Sequence, residues 1–198
     1  VATLYAETNL LIGLARGQDV NAPGILTLPH PHRLVLPAAC VMEAMAAFQR
    51  VRSDHNRFRN DELGRWSREL GRDRTSPAAA GMLQHIEAAR LAADQLIRDV
   101  RDRLTAALTA IASGADLIAI DPAVLANSAS VDHLDQMTDN LILHTILADA
   151  PGRSGPKALL TANVNDFGTP DVVQLLRAVG VDGPFATAAD ALRWLAAA

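Results

Sequence analysis

Two hydrophobic periods alternate along this chain. Short apolar runs end at polar or acidic residues, and between them apolar residues recur every three or four positions. ATLYAE (2–7), RLVLP (33–37), ADLIAID (115–121) and KALLT (157–161) are too short for helices and read as buried strands, with FAT (185–187) as a short edge strand. Helical spacing fills the gaps. TNLLIGLARG follows the first strand, with Thr8 or Asn9 as its cap and Gly17 as its stop. After a loop through Asn21, Pro23, Gly24, Pro29 and Pro31, the second strand leads into a helix from Ala38, on which Val41, Met45 and Phe48 share a face and Glu43 falls in the early turns. Asp135 is the expected cap of a helix carrying Asp139, Leu143, Ile146 and Leu147. Pro170 opens DVVQLLRAVG and Gly180 closes it, and Thr187 caps ADALRWLAA. Strands alternating with helices predict an α/β fold with a central parallel sheet in three α/β/α layers.

Residues 48–112 break the alternation. Phe48, Val51, His55, Phe58, Glu62, Trp66 and Leu70 form one helical stripe. After a break at Arg74–Pro77, Ile86, Ala89, Ala93, Ile97, Val100, Leu104, Leu108 and Ile111 form a second, ended by Gly114. Two amphipathic helices joined by a short turn predict an antiparallel α-helical hairpin. The expectation is a single domain, 1–198, with the hairpin inserted at 50–112.

A length of 198 residues with 49% hydrophobic content suits one core, and the 4% aromatic content favours helices on a sheet over a β-sandwich. Cys40 is the only cysteine, which removes internal disulfides and thiolate zinc sites and fits a cytoplasmic setting. It lies in LVLPAACVM as a buried structural thiol. The apolar start, Val1 to Ala15, is interrupted by Glu7, Thr8 and Asn9, has no basic leader and is too short to span a bilayer, so no membrane association is expected. The net charge of −4 argues against a general nucleic-acid binder, yet residues 50–74 hold eight arginines against five acids. Pairs such as Asp61–Arg65 and Arg65–Glu69 account for part of that charge as a solvated helix face. Arg50, Arg57, Arg65, Arg68 and Arg72 are the candidates for contacting RNA phosphates. Trp66 and Phe58, lying on the apolar stripe, are expected to pack the hairpin.

The chemistry concentrates in four acids. Glu7, Glu43, Asp139 and Asp166 each lie just past a strand or early in the helix that follows, and such positions converge at the carboxyl edge of an open parallel sheet. Gathered carboxylates repel one another unless a cation joins them, and hard divalent ions prefer oxygen ligands. An ion there would acidify bound water and screen a scissile phosphate. Asp121 also ends a strand but is read as structural. The His30-x-His32 pair in a Pro-rich loop has no further ligands nearby in the sequence, and the remaining histidines read as surface or packing residues.

YAETNLLIGLA, LVLPAACVMEAM, TDNLILHTILADA and LLTANVNDF, in this order, resemble the four motif blocks of a PIN domain. The resemblance implies a PIN-like three-layer fold and an endoribonuclease dependent on Mg²⁺ or Mn²⁺. Glu7 stands where the family usually has Asp, in Glu7-Thr8-Asn9; Glu43 and Asp139 match the second and third acids; Thr161, Asn163, Asp166 and Phe167 match the fourth block. By that resemblance Glu7, Asp139 and Asp166 hold the metal, Glu43 completes the catalytic set, and Asn9, Thr161 and Asn163 support it from behind. Implied partners are RNA as substrate and, in a toxin–antitoxin setting, a small antitoxin protein. The Ala/Leu stripes suggest a homodimer.

Two other classes are weighed against this one. Glu7 in place of Asp makes room for a weak or inactive PIN scaffold that binds RNA or protein. A haloacid-dehalogenase-type phosphatase shares the α/β plan but needs Asp-x-Asp after the first strand, which Glu7-Thr8-Asn9 does not supply. No Gly-x-Ser-x-Gly, P-loop or dinucleotide fingerprint occurs.

Overall fold

The computed structural model describes residues 1–73 and 75–198. Arg74, one of the eight arginines of the basic stretch, lies outside the described residues. In chain order the elements are β1 (Thr3–Ala6), α1 (Thr8–Arg16), α2 (Ala22–Leu26), β2 (Arg33–Pro37), α3 (Ala38–Arg57), a π-helical turn (Phe58–Glu62), α4 (Leu63–Leu70) and α5 (Pro77–Gly114). They continue with β3 (Asp116–Ile118), α6 (Pro122–Ser130), α7 (Met137–Asp149), β4 (Lys157–Leu160), α8 (Val164–Phe167), α9 (Pro170–Ala178), β5 (Val181–Phe185) and α10 (Ala188–Ala197). The protein is α/β. Two compact units are distinguished, Val1–Ala44 with Leu104–Ala198, and Met45–Arg103.

The first unit is built on a five-stranded sheet in the order β3-β2-β1-β4-β5, with every pairing parallel. All of β1 is buried, so both faces of the sheet are covered, as a parallel sheet requires. On one face Tyr5, Val35, Leu159 and Val181 pack with Ile142, Leu143 and Ile146 of α7 and Val172 and Leu176 of α9. Leu4, Leu34, Leu36 and Ala158 are the alternate, equally buried positions and therefore point to the opposite face. The strand order reverses at β1. Its neighbours are β2 on one side and β4 on the other, so a crevice opens between the carboxyl ends of β1 and β4, where an open parallel sheet binds its ligands.

At the amino edge a polar cluster closes the sheet. The Tyr5 hydroxyl donates to Asp149 at 2.7 Å, and Arg153 bonds both Asp149 and Asp116, the latter at 2.8 Å. Burial, reinforced by Asp149, pushes the Tyr5 hydroxyl well above its usual range and keeps it a donor.

Several local expectations are corrected. The loop after α1 contains α2, which buries Ala22 and Ile25 and takes Pro23 in its first turn, where a missing N–H costs nothing. The fifth strand is VDGPF rather than FAT. It includes Gly183 and Pro184, and β5 is an edge strand, where proline is tolerated. Neither Thr8 nor Asn9 caps α1; Glu7 does, its carboxylate accepting from the Asn9 N–H at 2.8 Å. Asp135 does not cap α7, which starts after Gln136 without a side-chain cap. Gly17 ends α1 in the left-handed region at φ 66°, and Thr187 caps α10, both as expected. Asp121 caps α6 by accepting from Ala123 at 2.7 Å, the structural role expected of it. Gly13, inside the nine-residue α1, costs roughly 0.5–1 kcal/mol relative to alanine, although a Cβ there would meet nothing within 4 Å.

Within the second unit the arms run antiparallel. Asp94 lies 3.2 Å from the His55 ring and 3.1 Å from the Arg59 guanidinium, while Arg90, four residues earlier than Asp94, approaches Gly64. Phe58 and Trp66, expected to pack this hairpin, are 42% and 51% exposed. The π turn supplies the reason. It inserts a residue into the helical register and rotates the stripe off its face. In place of the expected Asp61–Arg65 and Arg65–Glu69 pairs, among the described residues Arg57 bonds Asp54 and Arg72 bonds Glu69, each at i,i+3. Arg50, Arg65 and Arg68 are exposed. No helix among the described residues is long and apolar enough to cross a membrane.

Candidate functional site

All four acids sit at the carboxyl edge of the sheet in the first unit. Glu7 is the first residue after β1, Glu43 lies in the second turn of α3 directly behind β2, Asp139 in the first turn of α7, and Asp166 in α8 behind β4. Glu7 is the floor, 2% exposed, with the other three half-buried above it.

Neutral donors stand between the carboxylates. The Asn163 amide donates to Asp139 Oδ2 at 3.1 Å and to Asp166 Oδ2 at 2.7 Å, so one nitrogen joins two acids. Asn163 is set by its own backbone N–H, which donates to the Thr161 hydroxyl at 2.9 Å. The Thr8 hydroxyl donates to Glu43 Oε2 at 2.5 Å. Glu7 Oε2 is occupied by capping α1, whereas Oε1 is buried and makes no hydrogen bond of normal geometry, with the Thr161 hydroxyl close enough to the carboxylate to act on it. Burying a carboxylate oxygen unpaired is costly.

The titration behaviour follows. Burial pushes Glu7 up to about 6, with a further push from Asp139, against the downward pull of the Asn9 N–H and the Thr161 hydroxyl. Burial also lifts Asp139 to about 6, helped by Glu43 and Asp166 and opposed by Asn163. Asp139 is thus the hub, coupled to each of the other three acids. Cys40 is buried as expected; burial drives its thiol well up, and Glu7 and Glu43 add to the effect, which disfavours the reactive thiolate.

These shifts set a stability profile. A carboxyl whose folded pKa is raised binds its proton more tightly when folded, so it favours folding below its unfolded pKa and loses that contribution as pH rises through about 6. For buried Glu7 the rise from 4.5 to about 6 is worth roughly 2 kcal/mol. Asp116, lowered chiefly by its bond to Arg153, acts only below this window. Ion-free protein is expected to melt several degrees higher at pH 5 than at pH 7.5, and Glu7→Gln should flatten the profile by raising the value at pH 7.5. Identical melting curves for the two proteins across that range would contradict the account.

Among the described residues no three His, Cys, Asp or Glu side chains are gathered closely enough to ligate one ion as they stand. Glu7 Oε1 and the second oxygens of Glu43, Asp139 and Asp166 take no part in the bonds above, and these are the oxygens that could turn to an ion.

Two contributors escaped the sequence reading. Thr8, which holds Glu43, was read only as a helix cap. Asn140, adjacent to Asp139, is 1% exposed; it accepts from the His133 and Leu134 N–H groups and donates to the Ser128 and Val131 carbonyls. A lone amide in the apolar run NLILHTIL was the available signal.

Compared with models of known protein families, with curated proteins and with solved structures, the chain matches none.

Proposed function

We propose that this chain is a PIN-like endoribonuclease dependent on Mg²⁺ or Mn²⁺, with Glu7, Glu43, Asp139 and Asp166 as its catalytic acids. The observation that carries the reading is the buried, partnerless Glu7 Oε1 beside three further carboxylates at the β1/β4 crevice. Mg²⁺ usually keeps several waters and takes only one or two direct carboxylates, so it does not require a closed three-acid cage. Bound among Glu7, Asp139 and Asp166, the ion would supply positive charge to a phosphodiester and acidify water.

The protein groups divide the remaining work. Asn163 offsets the repulsion between Asp139 and Asp166, an amide standing where charge would otherwise be uncompensated. Thr8 occupies one oxygen of Glu43, leaving Oε1 to take a proton from the water that attacks phosphorus. That attack would form a phosphorus–oxygen bond and break the one to the ribose oxygen, which would leave with a proton taken from solvent. Arg50, Arg57, Arg65, Arg68 and Arg72 are proposed to hold RNA phosphates, and a toxin held down by a small antitoxin is the proposed setting, by analogy with the family.

Titration with Mn²⁺ alone and an RNA cleavage assay, run on the same protein, test the reading. Saturable Mn²⁺ binding, weaker at pH 5.5 than at pH 7.5 because protons compete for Glu7 and Asp139, is expected together with cleavage that EDTA stops. Absence of Mn²⁺ binding at millimolar concentration would overturn it. RNA binding without cleavage would favour the inactive scaffold, for which Glu7 in place of Asp is the specific argument.

A further inference from the structure

We infer that a second cavity, opening beside the carboxylates, is a pocket for a single nucleobase of the RNA strand; the inference rests on the proposed nuclease reading. The cavity is about 140 Å³ and shares Asn9 and Thr161 with the carboxylate site, so a ligand filling it lies next to the reacting phosphate. Its apolar walls include Leu10, Leu160 and Ala162. No Lys, Arg or His lines it, which argues against a phosphate or carboxylate occupant. Its one acid, Asp19, has both oxygens engaged, by the N–H groups of Asn21 at 2.8 Å and Ala188 at 3.0 Å, which argues against a cation.

What remains is a neutral ligand with an apolar face and a hydrogen-bonding edge. Gln18 lines the cavity, and among the described residues its carboxamide has no hydrogen-bond partner. A carboxamide presents donor and acceptor together, the complement of a base edge. Gly13 is the independent sign. It lines the cavity from the interior of α1, where glycine is a poor helix residue, and a Cβ built on it meets nothing within 4 Å. Packing does not exclude a side chain there. Keeping the cavity open does.

The test uses the intact, ion-free protein, ¹⁵N-labelled, titrated with adenosine, guanosine, cytidine and uridine, none of which carries a phosphate. Saturable shifts at Gly13, Gln18 and Ala162 are expected, with at least threefold tighter binding of one base than of another. Gly13→Leu should fill the cavity and weaken that binding at least tenfold. Gln18→Ala, at an exposed position, should remove the preference and serves if Gly13→Leu does not fold. Shifts absent from these residues, or unchanged in both variants, overturn the pocket. Mn²⁺ titration of the same proteins reports separately on the carboxylates: nucleoside binding without Mn²⁺ binding leaves the pocket standing and removes the nuclease, and the reverse result removes the pocket alone.

Discussion

Asp139→Asn is expected to lower metal-dependent RNA cleavage by roughly 10²–10³-fold, comparable with loss of one preorganised electrostatic group from an active site. Asp139 is the acid that feels Glu43 and Asp166 and is felt by Glu7, so its charge is the one shared by the whole set. Asparagine keeps its shape while removing that charge. Mn²⁺ affinity should fall with the rate. Folding should not suffer, because one negative charge leaves a repelling group, and the melting temperature at pH 7.5 is expected to equal or exceed that of the parent. Cleavage that survives the substitution at more than a third of the parent rate would remove Asp139 from the mechanism.

The second large effect lies one residue further on. Asn140→Asp is expected to destabilise the protein by about 3 kcal/mol or more, as two of four buried hydrogen bonds are lost and two carbonyls are left facing a carboxylate. The Asn140 amide donates to the Ser128 and Val131 carbonyls at 2.8 and 2.9 Å, and its oxygen accepts from His133 and Leu134. These bonds tie the connection between α6 and α7 to the first turn of α7, so they also fix where Asp139 starts. Urea denaturation measures the effect, and a change below about 1 kcal/mol would show that the amide does not brace that connection.

Much of the sheet was legible. Four of its five strands lie within or on the apolar runs that announced them, because a parallel strand buried on both faces must be apolar throughout. The ends of α1 and α10 were equally readable, since Gly17 and Thr187 act through local backbone geometry. Elements decided by neighbours were missed. VDGPF forms a strand because it is at an edge, and α2 forms where Ile25 finds cover, neither of which spacing alone reveals. The π turn is a further case: one inserted residue turned Phe58 and Trp66 outward, against a stripe that looked continuous.

By itself the sequence determined the α/β plan and which residue types stand after each strand, because hydrophobic period and local capping are properties of short segments. Only the tertiary structure decided that Glu7 keeps one oxygen for a helix and buries the other, that a single Asn163 amide serves two acids, and that Asn140 holds a connection together. Those facts depend on which side chains the fold brings together, from neighbours in one turn to Asn163 and Asp139, 24 positions apart, and on how far water is excluded where they meet.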